Sequence, residues 1–362
     1  MIPGRQGDGM RILYLCGREP DYIRNLMLRN ALRRSCDLVE ITSSSHNLVR
    51  RNGAVALRYL LANRRAFDLI VVGFYGQPLM PWVRLWGGAP ILFDAYVSTY
   101  DTLCFDRRWF SPRSLAGRLA FALDQWSCRW ADRLLFDTQA HRDYFVHTFG
   151  LPPAKTAVVY VGCEETHFTP RPALPPGQTF HVFTYTSFLR LHGVEHILYA
   201  AKQLAERDDI LFTIAGAGSH LAAMQRLVQE LGLPNVRFPD WVPFDQLPGR
   251  IAEADLCLGG HFSDIPKAGR VIATKTFQFL AMGKPTIVGD NPANREVMSH
   301  REHAYLCPMA DPTALAGAIL ELRADPLLRQ RLGEKGLALY RERFTTAATA
   351  NALQPVLDGL AI

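Results

Sequence analysis

The chain has 362 residues, of which 48% are hydrophobic and 20% are charged. This length suggests two domains, and the composition excludes a disordered tail protein, a collagen-like repeat and a small disulfide-stapled scaffold. The formal net charge of +6 arises entirely in residues 1–170, which hold 21 Lys and Arg against 15 Asp and Glu, whereas 171–362 hold 19 of each class. The two halves therefore differ in their task or in their surroundings.

The cysteines and the apolar stretches indicate in which cellular compartment the protein is expected. Seven cysteines are scattered singly, with no CxxC pair, which is typical of reduced thiols and fits the cytoplasm. The most apolar stretch, 69–97, is interrupted by several Gly and Pro residues, so it cannot supply the roughly 20 apolar residues of a membrane-spanning helix. Because the first residues also lack the apolar core of a signal peptide, we expect a cytoplasmic protein.

Apolar runs and amphipathic stretches alternate through the first half of the chain. Short continuous apolar runs are typical of strands buried on both faces, and amphipathic stretches between them are typical of covering helices. The pattern predicts a Rossmann-like domain with a parallel sheet. Strands are predicted at 10–16, 38–42, 67–74, 90–93, 133–137 and 157–161, and helices at 22–34, 53–63, 115–131 and 139–149.

A proline-rich stretch without periodicity, THFTPRPALPPGQT at 166–179, is typical of a linker between domains. The alternation then restarts and predicts a second Rossmann-like domain. Strands are predicted at 180–186, 210–215, 236–238, 256–259, 285–288 and 304–307, and helices at 194–206, 221–231, 244–253, 273–282, 293–300, 312–324 and 326–344.

The predicted organisation is α/β, with an N-terminal domain (1–165), a linker (166–179), a C-terminal domain (180–345) and a segment (346–362) that packs back toward the N-terminal domain. Ligands of doubly wound sheets bind beyond the carboxyl ends of the strands. Two such domains facing each other would place the active site in the cleft between them.

Basic residues converge where a loop enters a helix of the second half. Lys267, Arg270 and Lys275 fall within nine positions, and a helix N-terminus flanked by cations favours phosphate. The GAG turn at 216–218 would let a ligand approach the backbone, although a plain tight turn explains it equally well. The first strand is followed by CGREPDYIRN rather than GxGxxG, which excludes the fingerprint of a dehydrogenase.

Six separate segments match, in order, the motifs of one enzyme family. They are VYVGCEETHFTP, FLRLHGVEHILYAAKQL, FTIAGAG, NVRFPDWVPFDQLP, EADLCLGG and KAGRVIATKTFQFLAMGKPTIVGDNPANRE. Together they resemble glycosyltransferase family 4 over nearly the whole chain. The resemblance implies the GT-B fold, two Rossmann-like domains facing each other across a cleft, and retaining transfer of a sugar from a nucleotide sugar.

The resemblance also marks departures at the donor site. The paired glutamates of the family fall on Arg270 and Gln278, and Gln278 keeps an acceptor oxygen for the nucleotide ribose. The phosphate-binding arginine and lysine of the family fall on Thr186 and His192, neither of which is reliably cationic at neutral pH. A second set of cations is therefore predicted to neutralise the pyrophosphate, namely Arg190, Lys267 and Lys275.

In the first domain, the resemblance points to two segments. The turn that begins with Gly17 and Arg18 meets the donor phosphates in the family arrangement. Asp94 and Asp101 follow a predicted strand and are candidates for acceptor binding or proton removal. The alternative is a structural role as helix caps or as partners of Arg107 or Arg108. Tyr96 stands where many family members have a histidine that seats the sugar.

These inferences give two sets of candidate residues. Trp241 and Val242 join the donor set because they fall where the family grips the base, although a core tryptophan is equally consistent. The catalytic candidates are Asp94, Asp101, His192 and Lys275. The donor-binding candidates are Gly17, Arg18, Arg190, Gly216, Gly218, Trp241, Val242, Lys267, Arg270 and Gln278.

A short helix of the first half is rich in arginine. A basic amphipathic helix can lie on anionic lipid, and an ordinary solvated helix is the alternative. Lipid-linked acceptors in the resembling family favour the membrane. The arginines are Arg50, Arg51, Arg58, Arg64 and Arg65, and they surround Val55, Leu57, Tyr59, Leu60 and Leu61.

We therefore expect a cytoplasmic transferase, in peripheral contact with the inner membrane surface, that moves a sugar from a nucleoside-diphosphate sugar to an acceptor hydroxyl. It would need no bound metal and no cofactor, because cations and helix N-termini would stabilise the leaving diphosphate. Nucleic acid is not an expected partner, since no recognition motif accompanies the basic charge. A nucleotide-sugar epimerase and a non-catalytic partner subunit of the same fold remain the alternatives.

Overall fold

The computed structural model describes residues 9–172, 177–239 and 241–360. The chain forms two compact units. The first comprises the chain up to Val161 together with the residues from Thr346, and the second is Gly162–Thr345. Residues 162–165, which the sequence assigned to the first domain, belong to the second unit, where the Tyr340 hydroxyl donates to the Cys163 carbonyl at 2.8 Å. Part of the predicted linker, 173–176, lies outside the described residues.

The first unit contains a six-stranded parallel sheet in the order β2-β1-β3-β4-β5-β6. Its inner strands consist mainly of apolar residues buried on both faces, as the continuous apolar runs predicted. The strands are β1 (Arg11–Leu15), β2 (Asp37–Ile41), β3 (Leu69–Val72), β4 (Ile91–Asp94), β5 (Arg133–Phe136) and β6 (Thr156–Val158).

Helices cover both faces of this sheet. Side-chain caps stabilise the first turns of several helices; for example, the side-chain Oδ1 of Asn47 accepts from the Val49 and Arg50 amides at 3.0 and 3.1 Å. The helices are α1 (Ile23–Leu32), α2 (Leu48–Leu61), α3 (Met80–Trp86), α4 (Thr99–Asp101), α5 (Leu115–Trp130) and α6 (Gln139–Phe149). The sequence did not predict α3 or α4.

The second unit repeats the architecture, with a six-stranded parallel sheet in the order β12-β11-β10-β7-β8-β9. The strands are β7 (Phe180–Thr186), β8 (Ile210–Gly216), β9 (Val236–Arg237), β10 (Leu256–Gly260), β11 (Thr286–Gly289) and β12 (Tyr305–Cys307). The helices are α7 (Val194–Gln203), α8 (Leu221–Leu231), α9 (Leu247–Ala252), α10 (Thr274–Ala281), α11 (Pro292–Arg295), α12 (Pro312–Ala324) and α13 (Pro326–Arg343). The prediction of two doubly wound α/β sheets is confirmed.

The last helix, α14 (Thr346–Asp358), groups with the first unit and packs beside α1. Leu353 and Leu357 of α14 join Leu28 of α1 in the apolar layer on one face of the first sheet. Helices α2, α3, α5 and α6 contribute to the layer on the other face. In the described part of the chain, no helix combines the length and the apolar character needed to cross a bilayer.

Candidate active site

In the second unit, the candidate residues gather where the central strands end. Strands β10, β7 and β8 are neighbours in the sheet, so the segments that follow their carboxyl ends lie side by side at one edge. His192 belongs to the turn after β7, His261 follows β10 directly, and Lys275 is in the first turn of α10. This edge is the candidate donor site.

Lys275 is a buried cation without a carboxylate partner in the described residues. Its ammonium donates to the Tyr185 carbonyl at 2.8 Å and to the Thr184 hydroxyl at 3.3 Å, and it lies 5.9 Å from the centre of the Tyr185 ring. The side chain is 8% exposed, and burial lowers the pKa of Lys275 from 10.5 to about 7. Its neutral contacts leave the positive charge uncompensated, which favours an anionic ligand.

Two histidines border this lysine. The rings of His192 and His261 pack edge to face with centroids 5.1 Å apart. Burial, reinforced by Lys275, lowers the pKa of His192 well below its ordinary value and the pKa of His261 to about 3. Both rings are therefore neutral at physiological pH, so their ring N–H groups can serve as uncharged hydrogen-bond donors.

The two histidines differ in their partners. His192 Nδ1 hydrogen-bonds the Thr186 hydroxyl, which also accepts from the Phe188 amide at 3.2 Å. His261 is 5% exposed, and its Nδ1 has no hydrogen-bond partner in the described residues. A buried nitrogen of this kind is costly unless a ligand or water satisfies it. His261 was not predicted as a site residue, although its place directly after a buried strand was a usable signal.

The glycines of the GAG turn are explained by close packing. A Cβ at Gly216 would lie 1.9 Å from the Thr186 carbonyl oxygen, and one at Gly218 would lie 1.8 Å from the Ser187 carbonyl oxygen. Their φ values of 137° and 153° also disfavour any side chain. Both glycines thus hold the turn after β8 against the turn after β7, which gives them a structural task whether or not a ligand approaches.

Gln278 is buried on α10, and its side-chain oxygen accepts a hydrogen bond from the Tyr185 hydroxyl. This oxygen is the atom expected to hold the ribose, and it already has a protein partner. The ribose role therefore stays a prediction, and it requires Tyr185 to share or release that bond.

Other donor candidates lie farther out. Arg190 is exposed, and Lys267 and Arg270, on the turn before α10, are half-buried. Trp241 and Val242 line a cavity of about 400 Å³ against residues 181–183 of β7 and Leu211 and Thr213 of β8. These residues belong to the amino-terminal halves of β7 and β8, so the cavity does not adjoin the Lys275 group at the carboxyl ends.

The carboxyl edge of the first sheet carries a tight glycine contact. A Cβ at Gly17, after β1, would lie 2.6 Å from the Gly76 backbone nitrogen, so these two turns touch through their main chains. Tyr75 has a left-handed φ of 58°, which is uncommon for a bulky residue. The Arg18 guanidinium lies 5.4 Å from the Tyr75 ring centre, and its ion pair with Glu19 measures 2.7 Å.

Asp94 does not lie free at this edge. Its carboxylate accepts three hydrogen bonds of 2.8 to 3.1 Å from Arg24, and both side chains are at most 1% exposed. Arg24 also donates to the Val159 carbonyl, and its guanidinium lies 5.5 Å from the Tyr96 ring centre. Asp94 therefore has an arginine partner, but it is Arg24 and not Arg107 or Arg108, and the pairing argues against direct contact between Asp94 and a substrate.

An aromatic cluster adjoins that pair through Tyr96. The ring of Phe74 packs 4.7 Å from Tyr22 and 5.2 Å from Tyr96. Tyr22 is 38% exposed and Tyr96 is half-buried, so the cluster offers apolar ring surface and phenol groups at the strand ends. Of these three residues, only Tyr96 was predicted from the sequence to lie near the substrate.

Asp101 is also buried, at 2% exposure, in the first turn of α4. The loop that carries it is anchored by Asp124, a residue the sequence analysis did not select. The Asp124 carboxylate accepts from the Ser98 hydroxyl at 2.7 Å and from the Tyr100 amide at 2.8 Å. Asp101 is therefore held inside a closed hydrogen-bonded loop rather than presented to solvent.

Comparison with known proteins gives two family matches. Residues 19–167 match the model described as Glycosyltransferase Family 4, and residues 168–338 match the model described as Glycosyl transferases group 1.

Among curated proteins, the chain is 29% identical over 184 residues to the lipopolysaccharide core biosynthesis glycosyltransferase LpsD of Rhizobium meliloti, covering 51% of this chain and 50% of LpsD. It is 28% identical over 252 residues to a D-inositol 3-phosphate glycosyltransferase of Streptomyces bingchenggensis, covering 63% and 54%. The chain thus spans about half the length of these relatives.

Among solved structures, HepE of Anabaena in complex with UDP matches with a TM-score of 0.74 and 16% identity, covering 97% of this chain and 100% of HepE. Sucrose-phosphate synthase from Thermosynechococcus elongatus matches with a TM-score of 0.76 and 15% identity, covering 97% and 99%. At this identity the likeness concerns the fold, which is of the GT-B type.

Proposed function

Because the chain belongs to glycosyltransferase family 4, we propose that it transfers a sugar from a nucleoside-diphosphate sugar to an acceptor hydroxyl, with retention at the anomeric carbon. The observation that carries the proposal is the buried Lys275 ammonium, whose contacts are all neutral. A buried cation without a counterion is costly to the fold, and a diphosphate would offset that cost.

The proposed chemistry places the leaving diphosphate beside Lys275 and the N-terminus of α10. The protonated lysine and the helix dipole stabilise the negative charge that develops as the glycosidic bond breaks. The neutral ring of His261 donates a hydrogen bond from the nitrogen that lacks a protein partner. The acceptor oxygen bonds to the anomeric carbon as the bond from that carbon to the diphosphate oxygen breaks, and the acceptor proton passes to the leaving phosphate. Transfer by this arrangement needs no bound metal.

A UDP-sugar is the first donor to test, since HepE was crystallised with UDP. A thermal-shift panel of UDP, GDP, ADP, CMP and dTDP, each with its sugars, tests the proposal by linkage of binding to folding. We expect one base to raise the melting temperature clearly. If none does, donor binding is rejected and a non-catalytic subunit of the same fold becomes the better account.

The acceptor is proposed to meet the first unit at its aromatic cluster. Exposed rings such as Tyr22 stack on apolar faces of sugar rings, and phenol groups such as that of Tyr96 hydrogen-bond hydroxyls. An acceptor in cell-surface polysaccharide, glycolipid or secondary-metabolite glycosylation fits this chemistry, as the name of LpsD illustrates for that protein. A cytoplasmic location and a lipid-linked acceptor remain predictions.

An epimerase is distinguished by its products. It would convert the nucleotide sugar without an acceptor, and elimination with proton return requires accessible carboxylates. Asp94 and Asp101 are both buried, which favours transfer over epimerisation. Incubation of the stabilising nucleotide sugar with the protein alone should therefore leave the sugar unepimerised.

A further inference from the structure

One helical layer of the first unit exposes many large apolar side chains. On α2, Leu57 and Leu61 are 60% and 79% exposed; on α3, Leu85 is 72% exposed; and on α5, Leu115 is 75% exposed. Further exposed apolar residues on the same three helices are Leu48, Val49, Trp82, Trp86, Leu119 and Trp126. These helices form the α2/α3/α5 surface.

The opposite layer of the same sheet provides an internal comparison. It consists of α1 and α14, and neither exposes a large apolar side chain in the described residues. The described helices of the second unit expose only Tyr199 and Leu327. Exposed apolar area is therefore concentrated on one layer of one unit, and such concentration marks an interaction site.

The same surface carries positive charge alone. Helices α2 and α3 contain no Asp or Glu, and the single carboxylate of α5, Asp124, is 1% exposed. Exposed arginines lie on all three helices: Arg50, Arg58, Arg84, Arg118 and Arg129. Five exposed arginines thus lie on the same helices as the exposed leucines and tryptophans.

The three helices form a continuous surface. All pack their inner residues into the apolar layer on one face of the first sheet, and α3 contacts both α2 and α5. The rings of Trp82 and Trp86 stack 5.5 Å apart along α3. Tryptophan and arginine beside leucine are the residues that seat a protein at the boundary between lipid headgroups and acyl chains.

The structure corrects the helix that the sequence proposed for this role. Arg51 is 1% exposed and pairs with Glu19 at 2.7 Å, while Val55 and Tyr59 are fully buried. These three residues hold α2 to the fold and cannot contact lipid. The tryptophans come from α3, which was not predicted, and from α5, which was predicted as a helix but not for this role.

We propose that the α2/α3/α5 surface docks the protein on an anionic lipid bilayer, with its leucines and tryptophans at the acyl boundary and its arginines among the headgroups. Charge complementarity selects this partner, because the surface exposes cations and no carboxylate from its helices. The proposal is independent of the transfer chemistry, since docking requires neither donor nor acceptor.

Flotation of the full chain with vesicles tests the proposal. We expect binding to equimolar phosphatidylglycerol and phosphatidylethanolamine, weakening at high salt, and little binding to phosphatidylcholine. The variant Arg50→Gln, Arg84→Gln, Arg118→Gln should weaken partitioning about a hundredfold, since each basic residue near an anionic surface contributes roughly a factor of five. The variant Leu57→Gln, Leu61→Gln, Leu85→Gln should also lose binding.

Matched variants of the second unit serve as controls. Arg331→Gln, Lys335→Gln, Arg341→Gln removes the same charge from α13, and Leu327→Gln removes a leucine of equal exposure. Both should bind vesicles like wild type, and melting curves verify that each variant folds. Absence of binding to the anionic vesicles at low salt overturns the proposal. Equal loss in the surface and control variants, or a dimer that the leucine variant dissociates without any lipid binding, overturns it as well.

Discussion

Each sheet has a buried cation beside the carboxyl ends of its strands, and the two cations differ in their hydrogen-bond partners. In the first unit, Arg24 is held by the Asp94 carboxylate and the Val159 carbonyl. In the second unit, Lys275 has only the Tyr185 carbonyl and the Thr184 hydroxyl. A buried charge with a full set of partners is part of the fold, whereas a buried charge with neutral partners is poised for a ligand.

The largest expected effect, a loss of stability, comes from breaking the Arg24–Asp94 ion pair. Asp94→Leu leaves Arg24 buried without its counterion and should lower the free energy of unfolding by about 3–5 kcal/mol. Urea unfolding followed by tryptophan fluorescence measures this, because five of the six tryptophans lie in the first unit. The double variant Arg24→Met, Asp94→Leu should recover most of the loss. A single variant as stable as wild type would show that the pair is not structural.

The matching change in the second unit should affect binding rather than stability. Lys275→Met removes a hydrogen-bonded charge from the diphosphate, an interaction of about 1.5–3 kcal/mol, so donor affinity and turnover should fall about tenfold or more. The melting temperature should stay equal to wild type or rise, because the cost of burying the ammonium disappears. Calorimetric titration with the stabilising nucleotide gives the affinity; unchanged affinity and turnover remove Lys275 from the phosphate site.

The pH dependence of donor binding sharpens the comparison. The pKa of Lys275 is lowered to about 7 by burial, so the free protein loses this proton as the pH rises above 7, while a bound diphosphate would retain it. Affinity should therefore fall by about tenfold per pH unit above 7 until the pKa of the complex is reached. The Lys275→Met profile should be flat between pH 7 and about 8.5, and a flat wild-type profile would show that the diphosphate does not meet the protonated lysine.

The same pKa has a consequence for stability. The folded-state value lies below the unfolded value of 10.5, so the unfolded chain binds more protons between these limits. The contribution of Lys275 therefore makes the free protein more stable as the pH rises from 7 towards 10, with the full penalty present below 7. Comparison of wild-type and Lys275→Met unfolding across this range isolates the contribution, which should vanish in the variant.

The smallest expected effect concerns Gln278. Gln278→Ala removes the acceptor of the Tyr185 hydroxyl and should weaken nucleotide binding by about 1 kcal/mol, the scale of one hydrogen bond. Tyr185→Phe is the matched control, because it frees the Gln278 oxygen without removing it. If Gln278→Ala binds nucleotide like wild type, the ribose role is rejected.

Much of the fold could be predicted because its strands are continuous apolar runs. Helix α6 begins and ends as predicted, and β7 matches at both ends. Helix α3 was missed because Pro81 and several glycines interrupt the apolar stretch around it. Helix α14 was assigned no element, since its polar, alanine-rich sequence contains Pro355 and shows little periodicity.

The site was predictable in its residue types and less so in its contacts. The cluster of cations before α10 was visible in the sequence, but the burial of Lys275 was not, because lysines are mostly exposed. The Arg24–Asp94 pair joins residues 70 positions apart, a contact that spacing cannot reveal. For the same reason, the sequence does not reveal that the Asp94 carboxylate is already hydrogen-bonded to Arg24, or that the Nδ1 of His261 lacks a partner among the described residues.

The central claim is that the Lys275 ammonium binds the diphosphate of the donor. Its most direct test is the number of protons taken up on nucleotide binding. Calorimetry at pH 8 in buffers of different ionisation enthalpy measures it. Because free Lys275 is then about 90% deprotonated for a pKa of about 7, the account predicts uptake of close to one proton by wild type and none by Lys275→Met. Binding without proton uptake in wild type, or with equal uptake in the variant, would contradict it.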